Sequence, residues 1–294
     1  MAFQFKRKEP VAEAVRRLCR GRIAAALESL QRRNRVKAVH NVRREIKKLR
    51  AIFRLMRGEI GKGAYRRSTN PLRAVAGRLT PVRDAHIRLH ALETLTTHFK
   101  NRLPARPFPE IKRALRRNCR KVERTYFKNN SIGKLKKILR KAGRQAGGLK
   151  IKRDGWGAIA PGLEESHRRG RTAFATVMAA PSPENFHDWR KRVKELWHQV
   201  RLLCPMRPKV LGAAADELER LGELLGDDHD LFLLKEFLAG KFKNKKVAAG
   251  LDELIRARQQ ELRPAALELG ARCYLEKPEV FRLRLGNYWH RWCR

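Results

Sequence analysis

The chain has 294 residues, and its 70 Lys and Arg against 29 Asp and Glu give a formal net charge of +41. Hydrophobic residues make up 42%, enough to bury a core, which excludes a disordered basic tail. No run approaches the roughly 18 apolar residues of a membrane span, and the opening MAFQFKRKEP has no apolar stretch behind its basic residues, so no secretory leader is expected.

Apolar residues recur at three- and four-residue steps over 15–33, 38–57, 71–98, 109–126, 163–178, 184–204, 210–225, 230–237 and 246–269. Strand-like alternation is scarce, so the pattern predicts an all-α fold. Glycines and prolines break the pattern at 58–63 and 205–208, and the glycine-rich, aperiodic stretch 142–162 predicts a boundary between two halves. This gives an N-terminal bundle over 1–145, a linker over 146–161 and a C-terminal bundle over 162–294. The basic stretch 128–144 reads equally as a helix or a mobile arm. Five scattered cysteines without a CxxC exclude a cysteine zinc site and speak for a reducing, cytoplasmic setting.

The charge is lopsided: residues 1–150 hold 43 basic and 9 acidic residues, net +34, while 151–294 hold 27 and 20, net +7. Neighbouring cations on a body this size lie within the Debye length of about 8 Å, so they repel. A polyanionic partner would relieve them.

The chain also repeats itself. VHNVRREIKKLRAIFRLM (39–56) aligns without gaps on FHDWRKRVKELWHQVRLL (186–203), pairing His40 with His187, Arg43 with Arg190, Arg44 with Lys191, Lys47 with Lys194 and Arg54 with Arg201. Upstream, Arg20-Gly21-Arg22 corresponds to Arg169-Gly170-Arg171; downstream, Arg83-Asp84 corresponds to His229-Asp230. Three landmarks in one order predict a duplicated helical unit.

On a helix of about 3.6 residues per turn, His40, Arg43, Arg44, Lys47, Arg50 and Arg54 fall on one face. Val42, Ile46, Leu49, Ile52, Phe53 and Met56 fall opposite. In the second copy His187, Arg190, Lys191, Lys194, His198 and Arg201 form the stripe, and Trp189, Val193, Leu196, Val200 and Leu203 the apolar face. Each helix is expected to pack by one face and present a cationic ladder on the other. Glu45 and Glu195 fall outside the ladders, although mixed signs at i,i+4 would stabilise a merely solvated face. Arginine suits phosphate because its planar fork bonds two oxygens at once.

These residues resemble the CHAD family, the conserved histidine α-helical domain, whose hallmark is a His-x-x-Arg helix start continuing into a basic ladder, present twice. HNVRREIKKLR and HDWRKRVKELW carry it here, with LTPVRDAHIRL (79–89) and LLGDDHDLFLL (224–234) as the second motif. The resemblance implies two four-helix bundles related by a pseudo-two-fold axis. Their basic helices would face a central groove or pore that binds inorganic polyphosphate without catalysis or cofactor, and localisation to cytoplasmic polyphosphate granules follows from the same likeness. The two ladders would be the binding residues, with Arg17, Arg20, Arg22, Arg78, Arg83 and Arg171 on neighbouring segments completing the wall.

Two other readings stand beside this one. A surface this basic binds nucleic acid at low salt whatever its purpose, yet the ladders carry only Trp197 as an aromatic, where single-strand binders interleave several. A metal-dependent phosphohydrolase would draw on Asp227-Asp228-His229-Asp230 or on Asp84, His86 and His90. Gly226-Asp227-Asp228 reads more simply as a turn and helix cap, and Asp84 and Asp230 as orienting partners for arginines.

Overall fold

The computed structural model describes residues 3–105, 108–128, 131–241 and 245–294. Among them ten α-helices and two short 3₁₀ turns form, with no strand: α1 (Val11–Ser29), α2 (Arg35–Leu55), α3 (Arg57–His98), α4 (Pro109–Tyr126), α5 (Ser131–Gly147), α6 (Gly155–Ala179), α7 (Pro183–Leu203), α8 (Pro208–Lys241), α9 (Lys245–Cys273) and α10 (Pro278–Cys293). No helix among the described residues is long and apolar enough to cross a membrane.

The two repeated segments become α2 and α7, each 21 residues long. Asn34 caps α2 by accepting the Lys37 amide at 3.0 Å, and Ser182 caps α7 by accepting the Asn185 amide at 3.2 Å. The apolar faces turn inward as their spacing dictates, with Val42, Ile46 and Leu49 on α2 and Trp189, Val193 and Leu196 on α7 all at most 1% exposed. α2 packs on α1, α3, α6 and α7; α7 packs also on α6 and α8, and α3 packs on α8. Gln199 fixes the α2–α7 crossing by donating to the Ala51 carbonyl at 3.2 Å. Where α6 crosses the end of α2, a Cβ on Gly162 would sit 1.8 Å from the Leu55 carbonyl oxygen, so only glycine permits that approach.

Several sequence expectations change. The helices expected at 210–225 and 230–237 are one helix, α8, and Gly226-Asp227-Asp228 lies inside it rather than forming a turn and cap. Asp228 is 3% exposed and accepts from Arg263 at 2.8 Å and Gln259 at 3.0 Å, both on α9. The break expected at 58–63 is present inside the span of α3: Gly61 is non-helical (φ 73°, ψ 167°), so two helical stretches meet there at a kink. α3 then continues through Pro71 and Pro81, because Leu72, Val75, Leu79 and Val82 keep its inner face buried. The basic 128–144 stretch folds as α5, with Leu135, Leu139 and Ala142 buried; residues 129 and 130 lie outside the described residues. α10 was not anticipated, although Pro278 at its start and Phe281, Leu285 and Trp289 at four-residue steps signal it.

The non-helical connection after α5 covers 148–154, shorter than the aperiodic 146–161, since 155–161 belongs to α6. It is pinned at both sides. Arg153 grips Glu59 through Nε at 2.8 Å, Nη2 at 2.5 Å and its backbone N–H at 3.0 Å. Asp154 accepts the Val11 amide at 2.7 Å, capping α1 from a position 143 residues away. One apolar cluster draws on α1, α2, α3, α5, α6, α7, α8, α9 and α10; a second joins the far ends of α3 and α8 to α4 and α9.

Leu49 is fully buried in the larger cluster. Leu49→Ala should cost about 3 kcal/mol, and Leu49→Asp, which places a charge there, should abolish folding. Circular dichroism melts read both; a folded Leu49→Asp protein contradicts the face assignment. Gly162→Ala should lower the melting temperature by several degrees, since α6 must move off α2.

Candidate functional site

Except for His198, which is buried rather than presented outward, the ladders occupy the exposed or half-buried side of their helices, and part of each converges. Lys47, Arg50 and Ala51 of α2 and Arg190, Lys191, Arg192, Lys194, Glu195 and His198 of α7 line one cleft of about 580 Å³. Six cations and the carboxylate of Glu195 thus line the cleft, while Asp188 pairs with both Lys191 and Arg192 at 3.2 Å. Burial, then repulsion from Arg190, Arg83, Arg43 and Lys194, lowers the Lys47 pKa to about 7. Burial likewise brings Lys194 down to about 8, against partial relief from Glu219 and Glu223.

Lys194 reaches its place because α8 makes room. A Cβ on Gly222 would lie 2.5 Å from Lys194 Cδ, and one on Gly226 would lie 3.2 Å from the Arg190 guanidinium. The ammonium of Lys194 rests 3.5 Å from the centre of the Trp197 ring, whose other neighbour is Arg201 at 5.2 Å. Arg190 is held deep beside Asp230 and Asp227, and its buried Nε has no acceptor within the described residues.

At the start of the ladders a second group of charges gathers around Arg83 of α3. Arg83 bonds Asp84 at 2.9 Å and Asp230 of α8 at 3.4 Å, so both aspartates do orient an arginine. Its charge depresses His40, Arg43, Lys47, His187, Arg190 and His229 after burial has done most of the work. His187 stacks on His229 with centroids 3.9 Å apart, at pKa values of about 4 and about 3, so both rings are neutral hydrogen-bonding groups at neutral pH. His198 is 2% exposed, held well below its ordinary pKa by burial, and neither ring nitrogen has a partner within the described residues.

Other ladder members are already engaged. Arg43 donates to the Ala76 carbonyl at 2.6 Å and Thr80 Oγ1 at 2.9 Å, tying α2 to α3. Arg44 turns toward Glu45 at 3.5 Å, Arg54 pairs with Glu195 at 3.3 Å over the Tyr65 ring, and Lys191 pairs with Asp188 at 3.2 Å. Of the flanking arginines only Arg83 joins the cluster. Arg17 forks onto Glu9 at 2.6 Å, Arg22 is buried against Glu45 at 3.0 Å, and Arg171 bonds the Glu276 carbonyl at 3.4 Å. Arg20 is exposed on α1, and Arg78 lies beside Tyr126. These five do not line the cleft.

Two lining residues escaped the helical-wheel reading. Arg192 and Glu195 fall off the ladder stripe, yet the cleft wraps round the flank of α7 and includes them. Glu195 is held there by Arg54 of α2 and, at 4.0 Å, by Arg169 of α6. The Arg169-Gly170-Arg171 landmark was the one sequence signal pointing to that partner.

The CHAD domain family model matches residues 14–239. Among solved structures, the crystal structure of the CHAD domain from the plant Ricinus communis superposes with a TM-score of 0.68 at 16% identity, covering 93% of this chain and 94% of that one. At that identity the likeness concerns the fold. No curated protein matches the sequence. With the family model spanning most of the chain and the all-helical architecture shared with the plant domain, the chain belongs to the CHAD domain family.

Proposed function

We propose that this protein binds inorganic polyphosphate, without catalysis, along the cleft between α2 and α7, and through it associates with polyphosphate granules in the cytoplasm. The observation that carries the reading is the gathering in one cleft of Lys47, Arg50, Arg190 and Lys194, none of which makes an ion pair among the described residues, beside Lys191 and Arg192, which share Asp188. Such a cluster is destabilising until an anion enters. Polyphosphate has neither bases nor sugars, so cation density and forked donors suffice to hold it. The buried Nε of Arg190 is a donor without an acceptor within the described residues, and neutral His198 adds one N–H that is likewise unpaired.

The helix pairings are those that a duplicated unit would give. The pairs α1–α2, α2–α3, α3–α4 and α1–α5 have counterparts in α6–α7, α7–α8, α8–α9 and α6–α10, while α2–α7 and α3–α8 join the sets. Two repeats, 1–145 and 162–294, would then form one domain about a pseudo-two-fold axis between α2 and α7. Nucleic acid suits this cleft less well: Trp197 is 8% exposed and flanked by Lys194 and Arg201, leaving no platform for base stacking.

The double variant Lys47→Met with Lys194→Met should weaken polyphosphate binding at least tenfold in a titration at fixed salt, while the ligand-free protein melts at an equal or higher temperature. Unchanged affinity contradicts the site. The reading also fixes a pH dependence. Lys47 sits near 7 in the free protein, and a bound polyanion returns it toward its ordinary value of 10.5. Between those values binding takes up protons, so affinity falls as pH rises above 7. Calorimetry at pH 8 in buffers of different ionisation enthalpy should read that uptake, and its absence contradicts the role of Lys47. In competition, polyphosphate should displace single-stranded DNA from the cleft at equal phosphate concentration, and the reverse should fail.

A further inference from the structure

We propose that the outer face of α4 is a second, separate polyanion site, which binds the phosphate backbone of double-stranded DNA without sequence preference. It is independent of the cleft and would stand if the cleft bound something else.

α4 turns Ile111, Leu115 and Cys119 inward onto α3. At 100° per residue, Arg113, Arg117, Arg120 and Arg124 fall within about 40° of the opposite direction. All four are exposed, and none makes an ion pair among the described residues. The nearest acid pairs on that helix lie at its flanks, where Lys112 meets Glu93 at 3.0 Å and Glu123 meets His86 at 2.5 Å. α5 follows, running antiparallel to α1, with Gly143 against Ile23 and the Leu149 carbonyl against Arg16. Its own exposed Lys137, Lys141 and Arg144, opposite its buried face, belong to a helix packed on α1 and α3 and are not part of the α4 row. Glu110 stands on the same face at the start of α4, three residues before Arg113; from Arg113 to Arg124 the face carries four arginines at successive turns and no acid, an i,i+4 arrangement that lowers helix stability.

The form of this surface selects its partner. It is convex and unwalled, so a flexible phosphate thread would lose conformational entropy on it and gain no enclosure. A DNA duplex is stiff over about 500 Å and carries a charge every ~1.7 Å, so it binds such a row with little ordering cost. A single helix packed only by its inner face also fits the B-form major groove of about 12 Å, whereas the A-form groove of RNA is too narrow. A lipid surface would require apolar wedges. The large hydrophobic residues exposed among the described residues, Met178, Val210, Leu275, Val280 and Leu283, all lie in the other half.

The test is fluorescence anisotropy of the full chain with a 20-base-pair DNA duplex of arbitrary sequence across salt, on the wild type, on Arg113→Ala/Arg117→Ala/Arg120→Ala/Arg124→Ala, and on Lys47→Met/Lys194→Met. The α4 variant should bind the duplex at least tenfold more weakly, with a log–log salt slope shallower by about 3 to 4, and should bind polyphosphate within twofold of wild type. The cleft variant should keep its duplex affinity. An α4 variant that binds the duplex like wild type overturns the proposal, as does an equal loss of polyphosphate binding. Stronger retention of an RNA duplex, or capture by anionic phosphatidylserine vesicles that the α4 variant loses while duplex binding persists, assigns the surface to that partner and overturns it too. Arg117→Glu alone, measured the same way, decides the matter if the quadruple variant does not fold.

Discussion

Like charges brought together away from water dominate this molecule. α2 and α7 each bury an apolar face, and their crossing is fixed by Gln199 on the Ala51 carbonyl, so the flanks that remain are driven toward each other. Arg190 is confined by α8, where Gly226 lies against its guanidinium. Burial first, and then the charges of Arg190, Arg83, Arg43 and Lys194, bring Lys47 down to about 7. Most of the surrounding features then make sense as accommodations. α8 gives up side chains at Gly222 and Gly226, Asp230 draws Arg83 into place, and the histidines stay neutral rather than add further charge.

Not every cation serves the cleft, and the difference lies in what each one touches. Arg43 and Arg22 are tension members: one holds α2 to α3 through a carbonyl and a threonine, the other stitches α1 to the buried Glu45. Arg17 and Arg153 fasten chain ends and connections through forks to Glu9 and Glu59. The same residue type therefore performs two distinct jobs, separated by whether a carboxylate or carbonyl lies within reach.

The apolar and cationic faces of α2 and α7 were legible because both follow from one periodicity on one helix. α8 was misread because Gly226-Asp227-Asp228 has the composition of a turn, and the groups that let it stay helical, Arg263 and Gln259, lie on α9. The lining role of Glu195 was invisible for a similar reason, since it rests on how α7 crosses α2 and on Arg54 across that crossing. α10 was legible in principle, with its proline start and four-residue apolar steps, but its short length hid the pattern. Partners distant in sequence, not local propensity, account for what the wheel could not supply.

The cap on α1 bears on how the chain comes off the ribosome. The first free amide of α1 is satisfied by Asp154, and Phe5 lies against α7 with its amide on the Leu202 carbonyl at 3.0 Å. The first bond cannot form until Asp154, 143 residues later, has been made, and the second until Leu202 has been made. α1 is thus completed late, and the strongly basic stretch that contains it waits during synthesis for segments more than a hundred residues downstream to lock it.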